Sequence, residues 1–589
     1  MVSDPYFLLA QANGFADYLP ADAASGSLDF LLQLADQGEA KLRAHIVPGG
    51  PLLVNEAHLA AHSSFVTARM PPQMLADLAA EGILAACELA ESLRHERTPW
   101  PKAQPFADAV RAVPPFEANG AGRKLLALID DGCPFAHKEF RAARGVGTRV
   151  VVLWDMDPNP QLEHPGSGAP AGFYRGREVR RDVLEGWMDP DGTGVVDEDA
   201  CYLRAGYTAM NAPLTHGSHL LGLLAGTSYS RSAAGADDAA LADIAFLQIP
   251  RRLVEAPSAG AMHACMVDAL RYLRDFAQKS HYDECVVACA MGSMLGPHDG
   301  SSLFEQALDA ILSEAGQPFR LVLAAGNAAD LRVHAVLKPK AAQPAAVLWS
   351  LPGGNEAASF AELWGDAGVS FAIGAGGAPQ ALPPGKVLDV AAGVQAVQAE
   401  GRLTLRAAST RVSDPGHAAA PPGFVKIVAT APAGATVDGY VCWGGSNLGC
   451  PRGTLQTEWK LPWGAGDTVA DGTGALLGDA CGDHSELFVA GGYVGANNPQ
   501  QRLRAAYSAT GPTRGARKGP SCVALSDQDA ATRGIPGPGT RSNAARQWVW
   551  GTSVAVPQLA RALCNGEKPP RRGGAALPPE EEVGGGFLP

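Results

Sequence analysis

Ser553 lies in the run Trp550-Gly551-Thr552-Ser553-Val554-Ala555-Val556-Pro557, a small-residue turn followed by apolar positions at helical spacing (Val554, Ala555, Leu559, Ala560, Ala562 and Leu563). A serine that opens a helix holds its hydroxyl beside unpaired main-chain N–H groups. A nucleophile needs that setting, because main-chain donors can then meet the oxyanion that develops on attack. On its own the serine reads as an N-cap. Three further polar residues stand in comparable places. Asp130 ends the apolar run Leu125-Leu126-Ala127-Leu128-Ile129, His216 starts an apolar helix, and Asn327 follows the apolar run Phe319 to Ala325. Strand ends and helix starts are where catalytic groups gather in open α/β sheets, and this set of side chains suits acyl transfer by a serine nucleophile.

The elements that would position these residues alternate. Strands are predicted at Leu125–Ile129, Arg149–Trp154, Ile244–Ile249, Cys285–Cys289 and Phe319–Ala325, with helices from His216, over about 260–280 and over 302–315 between them. Continuous apolar strands alternating with helices indicate a parallel sheet covered on both faces. From about 340 to 450 the helices vanish. Strand patterns dominate there (Ala346–Leu351, Phe360–Trp364, Val369–Ile373, Leu403–Ala407, Phe424–Ala429 and Val437–Trp443), predicting an inserted β-sandwich. The α/β pattern resumes at Leu487–Gly492 and runs to a helix ending near Cys564. The fold class is therefore α/β, with a small α+β N-terminal domain and the inserted sandwich. The N-terminal domain is read from the run Leu28–Leu34, the strand Phe65–Met70, a helix opened by Pro71-Pro72, and the run Ile83–Ala86. The boundaries are 1–98 for that unit, 99–118 for a Pro-rich linker, 119–335 and 451–567 for the α/β domain, 336–450 for the insert, and 568–589 for a Pro-, Gly- and Glu-rich tail expected to be disordered at its end.

Bulk properties narrow the function classes. A net charge of −13 over 589 residues argues against nucleic acid as a partner, which would want a basic face. No run of about 18 apolar residues offers a membrane span, and no basic segment followed by an apolar core opens the chain, so a cytoplasmic protein is expected. Eleven scattered cysteines read as free thiols in a reducing compartment. Cys285 and Cys289 lack a second ligand pair, so no metal is assigned. Calcium is the one cofactor considered. The acidic residues of Asp189-Pro190-Asp191-Gly192 and Asp197-Glu198-Asp199 miss the EF-hand spacing, and no site is located.

Four motifs carry a resemblance. Ile129-Asp130-Asp131-Gly132 is similar to the aspartate motif of the subtilisin-like serine peptidases (subtilases), and His216-Gly217-Ser218-His219-Leu220-Leu221-Gly222 resembles their histidine motif. Ala324-Ala325-Gly326-Asn327 resembles the oxyanion-asparagine motif, and Gly551-Thr552-Ser553-Val554-Ala555-Val556-Pro557 the serine motif. The order Asp, His, Ser is that of the subtilisin type of triad. Ala506-Tyr507-Ser508-Ala509-Thr510-Gly511-Pro512 resembles a further loop of the family, and Ala290-Met291-Gly292 stands in place of its substrate-edge segment. The resemblance implies a serine endopeptidase with Ser553 as nucleophile, His216 as general base and then acid, and Asp130 orienting the imidazole. It further implies Asn327 as oxyanion donor, residues 290–292 pairing with substrate backbone, and a protein or peptide substrate. His219 reads as structural. Asp131 replaces a common Ser or Thr, while Val554 and Val556 replace Met and a small residue. Those two changes bear on pocket shape.

Residues 65–92 resemble the end of subtilase pro-domains, which implies that residues 1–98 are an inhibitory pro-domain cut within 94–118. Two other readings remain for the whole chain. One is a catalytically silent binding protein that uses the β-insert, and the other is a ligase or cyclase using the same triad.

Overall fold

The structure is a computed structural model that describes residues 4–18, 26–91, 123–142, 147–157, 168–211, 215–230, 236–250, 253, 260–340, 343–355, 357–399, 401–411, 419–432, 434–442, 454–456, 467–470, 474, 476–495, 502–515, 517–529, 534–540, 545–570 and 579–588. The linker 99–118 and the suggested cleavage window 94–118 lie outside these residues.

The centre is a nine-stranded sheet. Its parallel strands run, in spatial order, Val150–Asp155, Asp243–Gln248, Lys124–Asp130, Glu284–Cys289, Phe319–Ala324, Leu487–Val494 and Cys522–Asp527. Arg177–Arg180 and Leu503–Arg504 pair antiparallel at the margins. Strand Lys124–Asp130 lies in the middle, and its residues from Leu125 onward are buried. That burial on both faces is why it reads as an unbroken apolar run. One face carries the helices His216–Ala225 and Thr552–Cys564, through Leu220, Leu221, Leu224, Ala555, Val556 and Leu559. The other carries His263–Lys279 and Leu303–Leu312. The expected α/β architecture is thus the observed one.

The insert is two antiparallel sheets of seven and five strands closed on one core that includes Trp349, Leu363, Phe371 and Ile427. Its pairing begins with His334–Lys338 and ends with Asp467–Ala470, beyond both edges of the expected 336–450. These strands are only five and four residues long, too short for a periodicity to assign them to the insert, and only pairing reveals them. The hairpin of Val387–Ala391 with Val394–Ala399 is a further pair absent from the expected strands, and its first strand is half-buried or exposed throughout.

The N-terminal unit is a four-stranded antiparallel sheet, in the order Leu53–Val54, Phe65–Met70, Leu28–Leu34, Leu84–Leu89, with helix Pro72–Ala80. Leu31 and Phe65 enter the core around helix His263–Lys279. The contact is also ionic. Asp268, fully buried on that helix, accepts from Asn55 Nδ2 (2.8 Å), Thr67 Oγ1 (2.5 Å) and His58 Nε2 (2.9 Å) of the N-terminal unit. His263 Nδ1 meets Glu88 Oε1 at 2.6 Å, and its Nε2 meets Asp479 at 3.0 Å. The first helix, Pro5–Ala12, reaches the insert, where Tyr6 Oη donates to the buried Glu362 (2.5 Å). Glu362 also accepts from Gly296 N–H at 2.8 Å. Removing a buried charge's partner strands the donors around it, so Asp268→Ala should cost about 3–5 kcal/mol. Denaturant unfolding measures that loss, and limited proteolysis should cut the N-terminal unit faster in the variant.

The tail expected to be disordered at its end is instead packed there. Val583 and Leu588 are buried, and Leu588 joins the core beneath the Ser553 helix. Gly585 N–H donates to Ser521 C=O (2.9 Å) and Leu588 N–H to Val523 C=O (2.7 Å). A Cβ at Gly584 would stand 1.9 Å from Pro520 C=O, so this glycine serves close backbone approach rather than looseness.

Candidate active site

Asp130 ends the central strand with its carboxylate fully buried. One oxygen accepts Asp131 N–H at 2.8 Å, and both face His216 Nδ1, at 2.9 and 3.0 Å. The chain must then turn at once. Gly132 has φ +68°, and a Cβ there would strike the Thr215 side chain at 2.5 Å. His216 is the first residue of its helix, with 28% of its side chain exposed. Gly217 is obligatory behind it, since a Cβ would lie 1.8 Å from Asp131 C=O. The Nδ1–H bond to Asp130 fixes the imidazole's tautomer and leaves Nε2 as the free base.

Asp131 turns the other way and accepts Gly217 N–H at 2.8 Å, supplying negative charge at the start of the histidine helix. Burial, with Asp130 beside it, pushes Asp131 up to about 6. Burial alone would depress His216, but Asp130 and then Asp131 outweigh it and raise the imidazole from 6.5 to about 9. A raised folded-state value means that the pairing's stabilisation is complete below about 6.5 and is lost as pH rises through about 9. A reaction that needs neutral His216 should therefore rise with pH to a midpoint near 9. Asp131→Asn should move that midpoint down by about one pH unit. The pH profile of covalent labelling at Ser553 measures both.

Ser553 is the second residue of helix Thr552–Cys564 and is 9% exposed. The N-cap is Gly551, so the serine hydroxyl is not spent as an N-cap, and the helix start is met by a side chain from elsewhere in the chain. Gly551 has φ +121°, and a Cβ on it would meet Asn327 Nδ2 at 3.0 Å. The glycine thus admits the Asn327 carboxamide to the helix start. Asn327 Oδ1 accepts Thr552 N–H (2.7 Å) and Thr552 Oγ1 (3.0 Å). With the oxygen occupied, Nδ2 is the donor left for a ligand beside Ser553. The Ser553 helix packs on the His216 helix, and Gln547, just upstream of the serine, donates to Thr215 C=O at 2.7 Å. The structure thus brings Asp130 and His216 into contact, and Asn327 into contact with the start of the Ser553 helix.

Residues 290–292 leave strand Glu284–Cys289 beside Phe319–Ala324, whose continuation carries Asn327. Ala290 is buried, and Met291 and Gly292 are half-buried. His219 is fully buried with Nε2 2.7 Å from Ile535 C=O, and burial pushes it down to about 4. This fits a structural role. Val554 and Val556 are also fully buried, Val554 against Leu223 and Ile535 and Val556 in the core below the helix. They serve packing rather than the pocket shape expected of them.

Sequence reasoning missed Tyr507 as a support. Its hydroxyl accepts Gly551 N–H (3.2 Å) and bonds Asp527 (2.8 Å), and its ring lies 5.0 Å from that of Trp550. Its motif was visible, but the contact spans more than forty residues. In the acidic segment weighed for calcium, two carboxylates are held by main-chain donors: Asp189 takes Thr193 N–H, and Asp197 caps helix Glu198–Arg204. Among the described residues, the one group arranged to hold a metal is Asp130, Asp131 and His216 itself. Among the described residues, no helix is long and apolar enough to cross a membrane.

No protein-family profile matches the chain, and no curated protein sequence does. Solved structures do. The chain is similar to the CspB protease of Clostridium perfringens at a TM-score of 0.57 and 16% identity, over 79% of this chain and 90% of that one. It also aligns with a mutant of the epidermin leader peptide processing serine protease EpiP of Staphylococcus aureus at a TM-score of 0.40 and 11% identity, over 95% and 97%. The first likeness shows a shared fold. The second is too weak to bear on the argument.

Proposed function

We propose that the chain is a serine endopeptidase of the subtilase type that hydrolyses protein or peptide bonds through an acyl-enzyme. The observation that carries this reading is the Asp130–His216 pair standing with Asn327 and the start of the serine helix that Asn327 braces, at the carboxyl edge of one parallel sheet. Ser553 Oγ attacks the substrate carbonyl carbon while its proton passes to His216 Nε2. The oxyanion forms against Asn327 Nδ2–H and the Ser553 N–H. His216 then gives the proton to the leaving amine, the C–N bond breaks, and water, deprotonated by His216, releases the acid. Residues 290–292 pair with the substrate backbone as an added strand. No metal or cofactor is assigned a role. Residues 1–98 act as a pro-domain removed by a cut within 94–118.

The test is a fluorophosphonate, which bonds Ser553 Oγ as fluoride leaves. Full-length protein is treated beside Ser553→Ala, and intact mass is read. Expected are one adduct at Ser553 in wild type, none in the variant, and loss of about the first hundred residues on maturation. Absence of any adduct sinks the peptidase reading in favour of the binding protein. An adduct without truncation removes only the pro-domain assignment. Product masses showing joined peptides, not hydrolysed ones, would make the chain a ligase.

A further inference from the structure

The strands Glu284–Cys289 and Phe319–Ala324 are parallel neighbours, and the crevice beyond the carboxyl ends of such strands is where ligands bind in open α/β sheets. Here its walls are residues 290–293 on one side and Ala325–Asn327 on the other. Leu477 stands between them. A Cβ at Gly292 would lie 2.9 Å from Leu477 Cδ1, and a Cβ at Gly326 would lie 3.1 Å from both Cδ2 and Cγ. Glycine on both walls is thus the condition for this leucine to occupy the gap.

Leu477 is also held there. Its N–H donates to Ala325 C=O (3.0 Å), and the next residue, Gly478, donates to Ser293 C=O (2.8 Å). Asp479, almost wholly buried, accepts Ser293 N–H at 2.6 Å. Gly478 presses so closely on the loop that a Cβ would sit 2.1 Å from Leu295 C=O. The side chain packs against three separate cores and remains half-buried, so it is neither free to swing out nor sealed from the crevice.

We infer that Leu477 fixes the substrate class: peptides whose scissile carbonyl belongs to a small residue (glycine, alanine or serine). The inference rests on the peptidase reading above. A peptide extended along 290–292, with its carbonyl at Ser553 and Asn327 Nδ2, directs the side chain of that residue between the two walls. Leu477 already fills the space there. A methyl group fits above it, and an aromatic ring would need Leu477 and the three hydrogen bonds around it to move.

The test uses peptidyl diphenyl phosphonates with either an alanine or a phenylalanine side chain at the phosphorus-bearing residue. In each, Ser553 Oγ bonds phosphorus, its proton passes to His216 and phenoxide leaves. Labelling rates of the full chain are followed by intact mass, with the fluorophosphonate as a probe lacking any side chain. Wild type should react with the alanine probe on the order of 10²-fold faster than with the phenylalanine probe. Leu477→Ala should raise the phenylalanine rate at least about tenfold, and the milder Leu477→Val should fall between. Thermal melting identifies which variants remain folded. Equal rates for the two probes in wild type, or a wild-type ratio kept by both folded variants, overturn the inference while fluorophosphonate labelling leaves the peptidase reading intact. If the fluorophosphonate itself fails to label Ser553, the peptidase reading falls and this inference falls with it.

Discussion

Asp130→Asn is expected to lower kcat/KM for a peptide substrate by about 10⁴-fold while leaving the fold in place. The carboxylate accepts from His216 Nδ1 with both oxygens and from Asp131 N–H with one of them. An asparagine of equal size keeps the shape, but its amide can turn its NH₂ toward Nδ1. The imidazole proton then moves to Nε2, the nitrogen that must receive the Ser553 proton. The imidazolium also loses its nearest counter-charge, so the midpoint for deprotonating His216 should fall from about 9 toward the ordinary 6.5. Asp131 offers no substitute, because its carboxylate is turned to Gly217 N–H. The measurement is kcat/KM against pH, with a thermal melt to show that the protein is folded. A loss under tenfold would mean that His216 is not the base. An equal loss in KM alone would place Asp130 in substrate binding.

The parts of this site that could be read from sequence are those where chemistry and backbone make the same demand locally. Gly132 must yield to Thr215, Gly217 to Asp131 and Gly551 to Asn327, and in each case the glycine stands within three residues of Asp130, His216 or Ser553. The central strands were legible because burial on both faces leaves an unbroken apolar run, as in Leu125–Ile129. What stayed hidden depends on partners far along the chain. Asp131 reads as a departure from a motif until Gly217, 86 residues on, is seen to donate to it. Leu477 looks like any loop leucine until Gly292 and Gly326 flank it. Asp268 and Glu362 look like surface carboxylates on amphipathic elements, yet each is buried and receives donors from another unit. The tail's glycines look like a flexible run, yet Gly584 closes onto Pro520. Composition describes what a segment could do alone. These five features exist only where two segments meet.

Asn327 poses a sharper question, because its side chain does two things at once. Its oxygen holds Thr552 N–H and Oγ1 at the start of the serine helix, and its nitrogen is the donor left for an oxyanion. Asn327→Ala should lower kcat by about 10²–10³-fold with KM little changed, the expected cost of one donor that acts only in the transition state. Such a loss alone would not separate the two roles, since an uncapped helix could misplace Ser553. Asn327→Asp separates them. A carboxylate accepts Thr552 N–H at least as well, and at a helix N-terminus its charge is favoured, so this variant should melt no lower than wild type. It cannot donate to an oxyanion, and its charge repels one. Its kcat should therefore fall as far as that of Asn327→Ala or further. Recovery of rate in the aspartate variant would show that Asn327 matters only as a brace for the helix. Loss of rate in a fully stable protein would show that the Nδ2 donor acts on the reaction itself.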